Sequence, residues 1–229
     1  MRAWENRPDT VVIDEPLYSF YLDRTGLDHP GRAQIIASQP TDPNIVLERL
    51  LTAPLPNGAV ISYAKHMTHH LLPEVDRAAL APLRHAHLIR DPRELLASYS
   101  QVRNEPTLDD LGIRQQAEIF ESFGGPVVDS RDLLADPEGI LRLLCQTLDV
   151  PFTKDMLSWP AGPRATDGVW APYWYDSVHA STGFAPYRPP ARPLPARLEP
   201  LAERCRSYYN RLHQHRITSQ EGPRAAGLR

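Results

Sequence analysis

The chain has 229 residues and a formal charge of −3, which suits one globular domain and supplies no overall basic footprint for a nucleic acid partner. Its 41% hydrophobic and 23% charged residues belong to a chain that buries a core rather than one that stays disordered. Any anion it binds must therefore be met by a local pocket. No window approaches the length of a membrane span, and residues 1–7 lack the apolar stretch of a signal peptide. Cys145 and Cys205 fall at apolar helical positions, which reads as two buried thiols in a cytoplasmic protein, with a single bridge as the alternative.

In chain order, Arg2-Ala3-Trp4 favours a helix that Pro8 ends. Thr10-Val11-Val12-Ile13 is an apolar strand of the parallel-sheet kind, closed by Asp14-Glu15-Pro16. These two acids stand at the carboxyl end of a strand, where they either touch a substrate or cap the next helix, whose apolar stripe runs through Leu17, Phe20 and Tyr21. Asp42-Pro43 opens another helix, and residues 59–63 form a second strand that leads directly into Lys65, His66, His69 and His70. His66 and His70 share the i, i+4 spacing of a metal pair. The glutamate of a zinc-protease helix and a third ligand cluster are both missing, so no metal is expected, and His69 and His70 read as structural.

A short apolar run through His87, Leu88 and Ile89 ends at Arg90, after which Asp91, Pro92 and Glu94 fall where an N-cap, a first-turn proline and a capping-box acid belong. Strand, tight turn and helix follow from that order, and the helix start is an anion site. Arg90 adds a fork of donors. Ser98, two turns further along the same side, brings a hydroxyl, so the two can reach one phosphate; the alternative is a plain capped helix with Arg90 in a salt bridge and Ser98 exposed. Residues 107–123 form a helix closed by Gly124-Gly125, residues 126–129 a fourth strand, and Asp136-Pro137-Glu138 opens an amphipathic helix. Residues 162–174, with Arg164, Gly168 and Trp170, make an aromatic-rich loop that either closes over a ligand or packs through its tryptophan. A proline-rich strap at 185–197 precedes a last helix with Leu201, Cys205, Tyr208 and Leu212 on its buried face. Residues 218–229 read as a disordered tail, leaving 1–217 as a single α/β domain with a parallel sheet.

Three blocks resemble, in the same order, the bacterial-type sulfotransferases that use 3′-phosphoadenosine 5′-phosphosulfate (PAPS). They are Lys65-His66 with Leu71-Leu72-Pro73, Arg90-Asp91-Pro92-Arg93 with Ser98, and residues 127–152 with the Arg164 and Gly168-x-Trp170 loop. The resemblance implies a three-layer α/β/α P-loop nucleotide-binding fold and transfer of a sulfuryl group from PAPS to a hydroxyl or amine of a small-molecule acceptor. It casts His66 as catalytic base and Lys65 as the cation that neutralises the transferring group. Arg90, Ser98, Arg164, Gly168 and Trp170 would serve the nucleotide, and no metal, nucleic acid or membrane is implied. It also implies that the family's first strand, which lies between the strand of the His66 block and the strand ending at Arg90, and its 5′-phosphosulfate loop are missing from this chain. The alternative is a truncated or non-catalytic member that only binds nucleotide or a protein partner.

Overall fold

The computed structural model describes residues 1–56, 58–100, 105–189 and 192–219. The tail expected to be disordered thus lies, from residue 220, outside the described residues, as does Pro190 of the strap. The elements are α1 (Arg2–Glu5), β1 (Thr10–Asp14), α2 (Tyr18–Thr25), α3 (Arg32–Ser38), α4 (Pro43–Thr52), β2 (Ile61–Lys65), β3 (His87–Ile89), α5 (Pro92–Tyr99), α6 (Leu108–Leu111), α7 (Ile113–Phe123), β4 (Val127–Asp129), α8 (Ser130–Ala135), α9 (Pro137–Thr147), α10 (Ala171–Trp174), α11 (Asp176–Ala180) and α12 (Glu199–His213).

The chain forms two compact units. One comprises Met1–Arg84, Asp109–Gln116 and Thr153–Ala185, the other His85–Leu108, Ala117–Phe152 and Pro186–Arg229. Each holds one parallel strand pair, β1 with β2 in the first and β3 with β4 in the second. Helices α2 to α4 connect the first pair and α5 to α7 the second, as parallel pairing requires. The architecture is α/β with parallel sheets, and among the described residues each sheet has two strands. Among the described residues no helix is long and apolar enough to cross a membrane.

Helix starts follow the aspartates. Asp42, Asp91, Asp129 and Asp136 each accept a hydrogen bond from a backbone N–H of the helix they precede, and three of those helices have proline in the first turn. The helix expected over 107–123 is two helices, because Gly112 adopts φ 65°. Its carbonyl accepts from the Thr68 hydroxyl at 2.7 Å, and a Cβ there would collide with Thr68 and the His69 amide. In α12 the buried stripe is Ala202, Cys205, Tyr209 and Leu212. Ala202 and Tyr209 replace the expected Leu201 and Tyr208; both stripes keep three-and-four spacing, and the one observed lets the Tyr209 hydroxyl reach Asp129 at 2.7 Å. Cys145 and Cys205 are both buried.

In the first unit Tyr18, Tyr21, Leu22, Ile35, Trp170, Ala171 and Tyr175 form one core. His70 is buried within reach of it, stacked on Tyr18 at 4.8 Å and tilted on Tyr21 at 4.6 Å. Burial, reinforced by His69, His66 and Lys65, holds its pKa well below the ordinary histidine value. The folded state keeps His70 neutral while the unfolded chain takes up a proton near pH 6.5, so stability is full above that pH and declines below it. Each pH unit below that point costs up to about 1.4 kcal/mol. We expect Tm to fall between pH 7.5 and 5.5, and His70→Phe, which preserves the ring stack, to flatten that slope. Equal slopes in thermal melts of the two proteins would refute this account.

Candidate functional site

The register of β1 on β2 sets Asp14 opposite Lys65 at the carboxyl ends of both strands. Glu15 then turns with φ 40° while its amide still donates to the Lys65 carbonyl at 2.9 Å, extending the ladder by one bond. The Lys65 ammonium donates to Glu15 Oε1 at 2.5 Å, Asp14 Oδ1 at 3.3 Å and Tyr175 Oη at 2.9 Å. An ammonium has three hydrogens, and here three protein oxygens take them. The Tyr175 hydroxyl in turn donates to Asp14 Oδ2 at 2.6 Å. Asp14 and Glu15 thus grip Lys65. Neither caps α2, whose N-cap is Leu17 with no side-chain bond.

The electrostatics follow from two buried acids around one cation. Burial pushes the Glu15 carboxyl above its ordinary value, against the pull of Lys65. Burial also works to strip the proton from Lys65, but Glu15 and Asp14 outweigh it and hold the amine charged beyond the usual lysine range. Burial and then the bond to Asp14 keep Tyr175 a phenol.

The 162–174 loop converges on the same cluster. The Gly168 amide points at Asp14 Oδ2 at 3.4 Å, and Trp170 Nε1 donates to Tyr175 Oη at 3.4 Å. Trp170 is buried in the core, and its ring lies so close to Gly168 that a Cβ would overlap it. Asp167 ties the loop down, accepting from Arg2 at 2.8 Å, the Arg164 amide at 2.8 Å and His179 at 3.1 Å. Arg164 Nη2 is a buried donor with no hydrogen-bond partner among the described residues. Lys65 and Tyr175 also line a cavity of about 290 Å³ whose walls include Trp159, Val178 and Phe184.

Of the residues singled out from the sequence, Lys65, Gly168 and Trp170 therefore meet around Asp14 and Tyr175. His66 follows β2 directly and is half-buried. Arg90 and Ser98 belong to the second unit. There Arg90 Nε contacts Glu94 at 3.4 Å, Ser98 is exposed on α5, and among the described residues no hydrogen bond joins them. Glu94 is a hub: it is buried and also accepts from Arg131 and from the hydroxyl of Tyr187, on the proline-rich strap, at 2.6 Å. Sequence reasoning missed Tyr175 and the Glu94 hub. The strand-end position of Asp14 and Glu15 pointed at the site without naming the partner they hold.

Residues 1–215 match the sulfotransferase domain family, and the chain belongs to that family. Two Arabidopsis thaliana proteins are similar, branched-chain-amino-acid aminotransferase-like proteins 1 and 2, at 36% and 32% identity over 220 residues. The match covers 94% of this chain and 39% of each relative, so the chain spans well under half of their length. Two solved structures also match: the sulfotransferase domain from the curacin biosynthetic pathway (17% identity, 85% of this chain and 78% of that one, TM-score 0.42), and that of the Synechococcus PCC 7002 olefin synthase (19%, 82% and 74%, TM-score 0.44).

Because Gly168 has no left-handed backbone to protect, its requirement is steric. Gly168→Ala should lose about 1–3 kcal/mol in urea unfolding, the usual size of an overpacking penalty; a loss below 0.5 kcal/mol would mean that Trp170 has room to move.

Proposed function

We propose that this sulfotransferase-family protein transfers a sulfuryl group from PAPS to a hydroxyl or amine of a small-molecule acceptor. The observation that carries the reading is the Lys65 ammonium, held charged at a strand's carboxyl end with the Gly168 and Trp170 loop closed on the same cluster. PAPS supplies the sulfuryl group. The resemblance assigns the 3′-phosphate to Arg90, Ser98 and Arg164; in the second unit Arg90 leaves its guanidinium partly exposed, and in the first the buried Arg164 Nη2 has no acceptor among the described residues. Lys65 offsets the negative charge on the transferring sulfuryl group, and His66 accepts the acceptor's proton. The cavity beside Lys65 offers the acceptor an apolar wall.

The name of the plant relatives is not carried over, because the match covers 39% of each of them. One observation favours a second reading, a member that binds nucleotide or a protein partner without turnover: all three Lys65 hydrogens already have protein acceptors.

Turnover of PAPS with a panel of acceptors separates the two. His66→Ala should lower kcat about 10²-fold or more, the usual size of a general-base contribution, with calorimetric binding of 3′-phosphoadenosine 5′-phosphate nearly unchanged. Arg90→Ala should weaken that binding about tenfold or more, as expected for a lost charge-assisted bond. Near wild-type turnover by His66→Ala would move the base elsewhere, and wild-type binding without turnover would favour the second reading.

A further inference from the structure

We propose that Tyr175 is the positioning residue of Lys65: its hydroxyl, anchored on Asp14 and Trp170, holds the ammonium at the one point from which it can meet the transferring group. The last clause rests on the sulfuryl-transfer reading; the hold on Lys65 does not.

The strand fixes only the backbone of Lys65. Four rotatable bonds separate that backbone from the ammonium, and ordering them costs rotamer entropy. Two carboxylates alone would leave the cation to slide between them, and Glu15 at 2.5 Å already draws it closer than Asp14 at 3.3 Å. Tyr175 supplies the third acceptor at 2.9 Å, from an element 110 residues further along, and also puts its ring 5.2 Å from Nζ. The tyrosine has no slack of its own. Its one hydrogen is spent on Asp14, its oxygen also accepts from Trp170, and Trp170 is wedged against Gly168 in the core.

Tyr175→Phe keeps the ring and removes the hydroxyl. Lys65 and Lys154 are the only lysines, so acylation with an amine-specific reagent, mapped by mass spectrometry, reads Lys65 against an exposed internal reference. We expect Lys65 to react more slowly than Lys154 in the wild type. In Tyr175→Phe it should react about tenfold faster, the lower end for losing one hydrogen bond to a charged group, with Lys154 unchanged. In turnover assays kcat should fall about tenfold with KM for PAPS held within about twofold, as for an interaction made in the transition state. Adding the change to Lys65→Met should cost nothing more, since Tyr175 acts through Lys65. Unchanged labelling of Lys65 overturns the proposal, as does faster labelling with unaltered kcat or an additive loss in the double variant. Should the wild type show no turnover at all, the sulfuryl-transfer reading fails, and the labelling alone decides whether Tyr175 holds Lys65.

Discussion

Everything in the first unit is arranged to keep one charge. Asp14 and Lys65 face each other because β1 and β2 pair in parallel register, and a carboxylate as deeply buried as Asp14 is tolerable only beside a cation. Removing either partner of such a buried pair typically costs about 3–5 kcal/mol, because the charge left behind has no water to turn to. With Glu15 added, the cluster carries two acids against one base. Burial explains why Glu15 resists ionisation, while Glu15 and Asp14 together hold Lys65 charged against its own burial; neutral donors, the Tyr175 hydroxyl and the Gly168 amide, are directed at Asp14.

The second unit solves a similar problem with different parts. Glu94 is buried in the first turn of α5, where the helix dipole favours a carboxylate. Burial would raise its pKa, yet hydrogen bonds from Tyr187, Arg131 and Arg90 outweigh that and hold it below the ordinary value. Tyr187 lies on the proline-rich strap, so the strap is tied to the helix start through a single carboxylate. In both units a tyrosine hydroxyl delivered by a late segment completes a carboxylate placed by an early strand or helix.

Much of this was legible in the residues. Apolar runs gave all four strands, and each Asp-Pro pair gave a helix start, because capping is a local interaction that needs no tertiary partner. Four helices were not legible, and two of them, α10 and α11, are single short turns inside and just after the stretch read as a loop. α3 begins at Gly31 with no side-chain cap, and α8 begins directly at the strand-ending Asp129 with no intervening turn residue to announce it. Lys65, Gly168 and Trp170 could be singled out, but their convergence around Asp14 and Tyr175 depends on strand register and on a loop about 100 residues further on than Lys65. Tyr175 carried no local signal: it is one of nine tyrosines, and only packing distinguishes it.

That Asp14 meets its hydroxyl donor 161 residues later has a consequence for assembly. As the chain leaves the ribosome, β1 and β2 can pair once residue 65 has emerged, and the three charged groups are then together without the phenol, the indole or the glycine amide. The first unit closes only when Thr153–Ala185 arrive, after most of the second unit has been made. Loop closure over such a span is slow relative to local structure. Until that segment is made, the ammonium lacks the acceptor that Tyr175 provides, and the charged centre depends on the last part of its unit to exclude water.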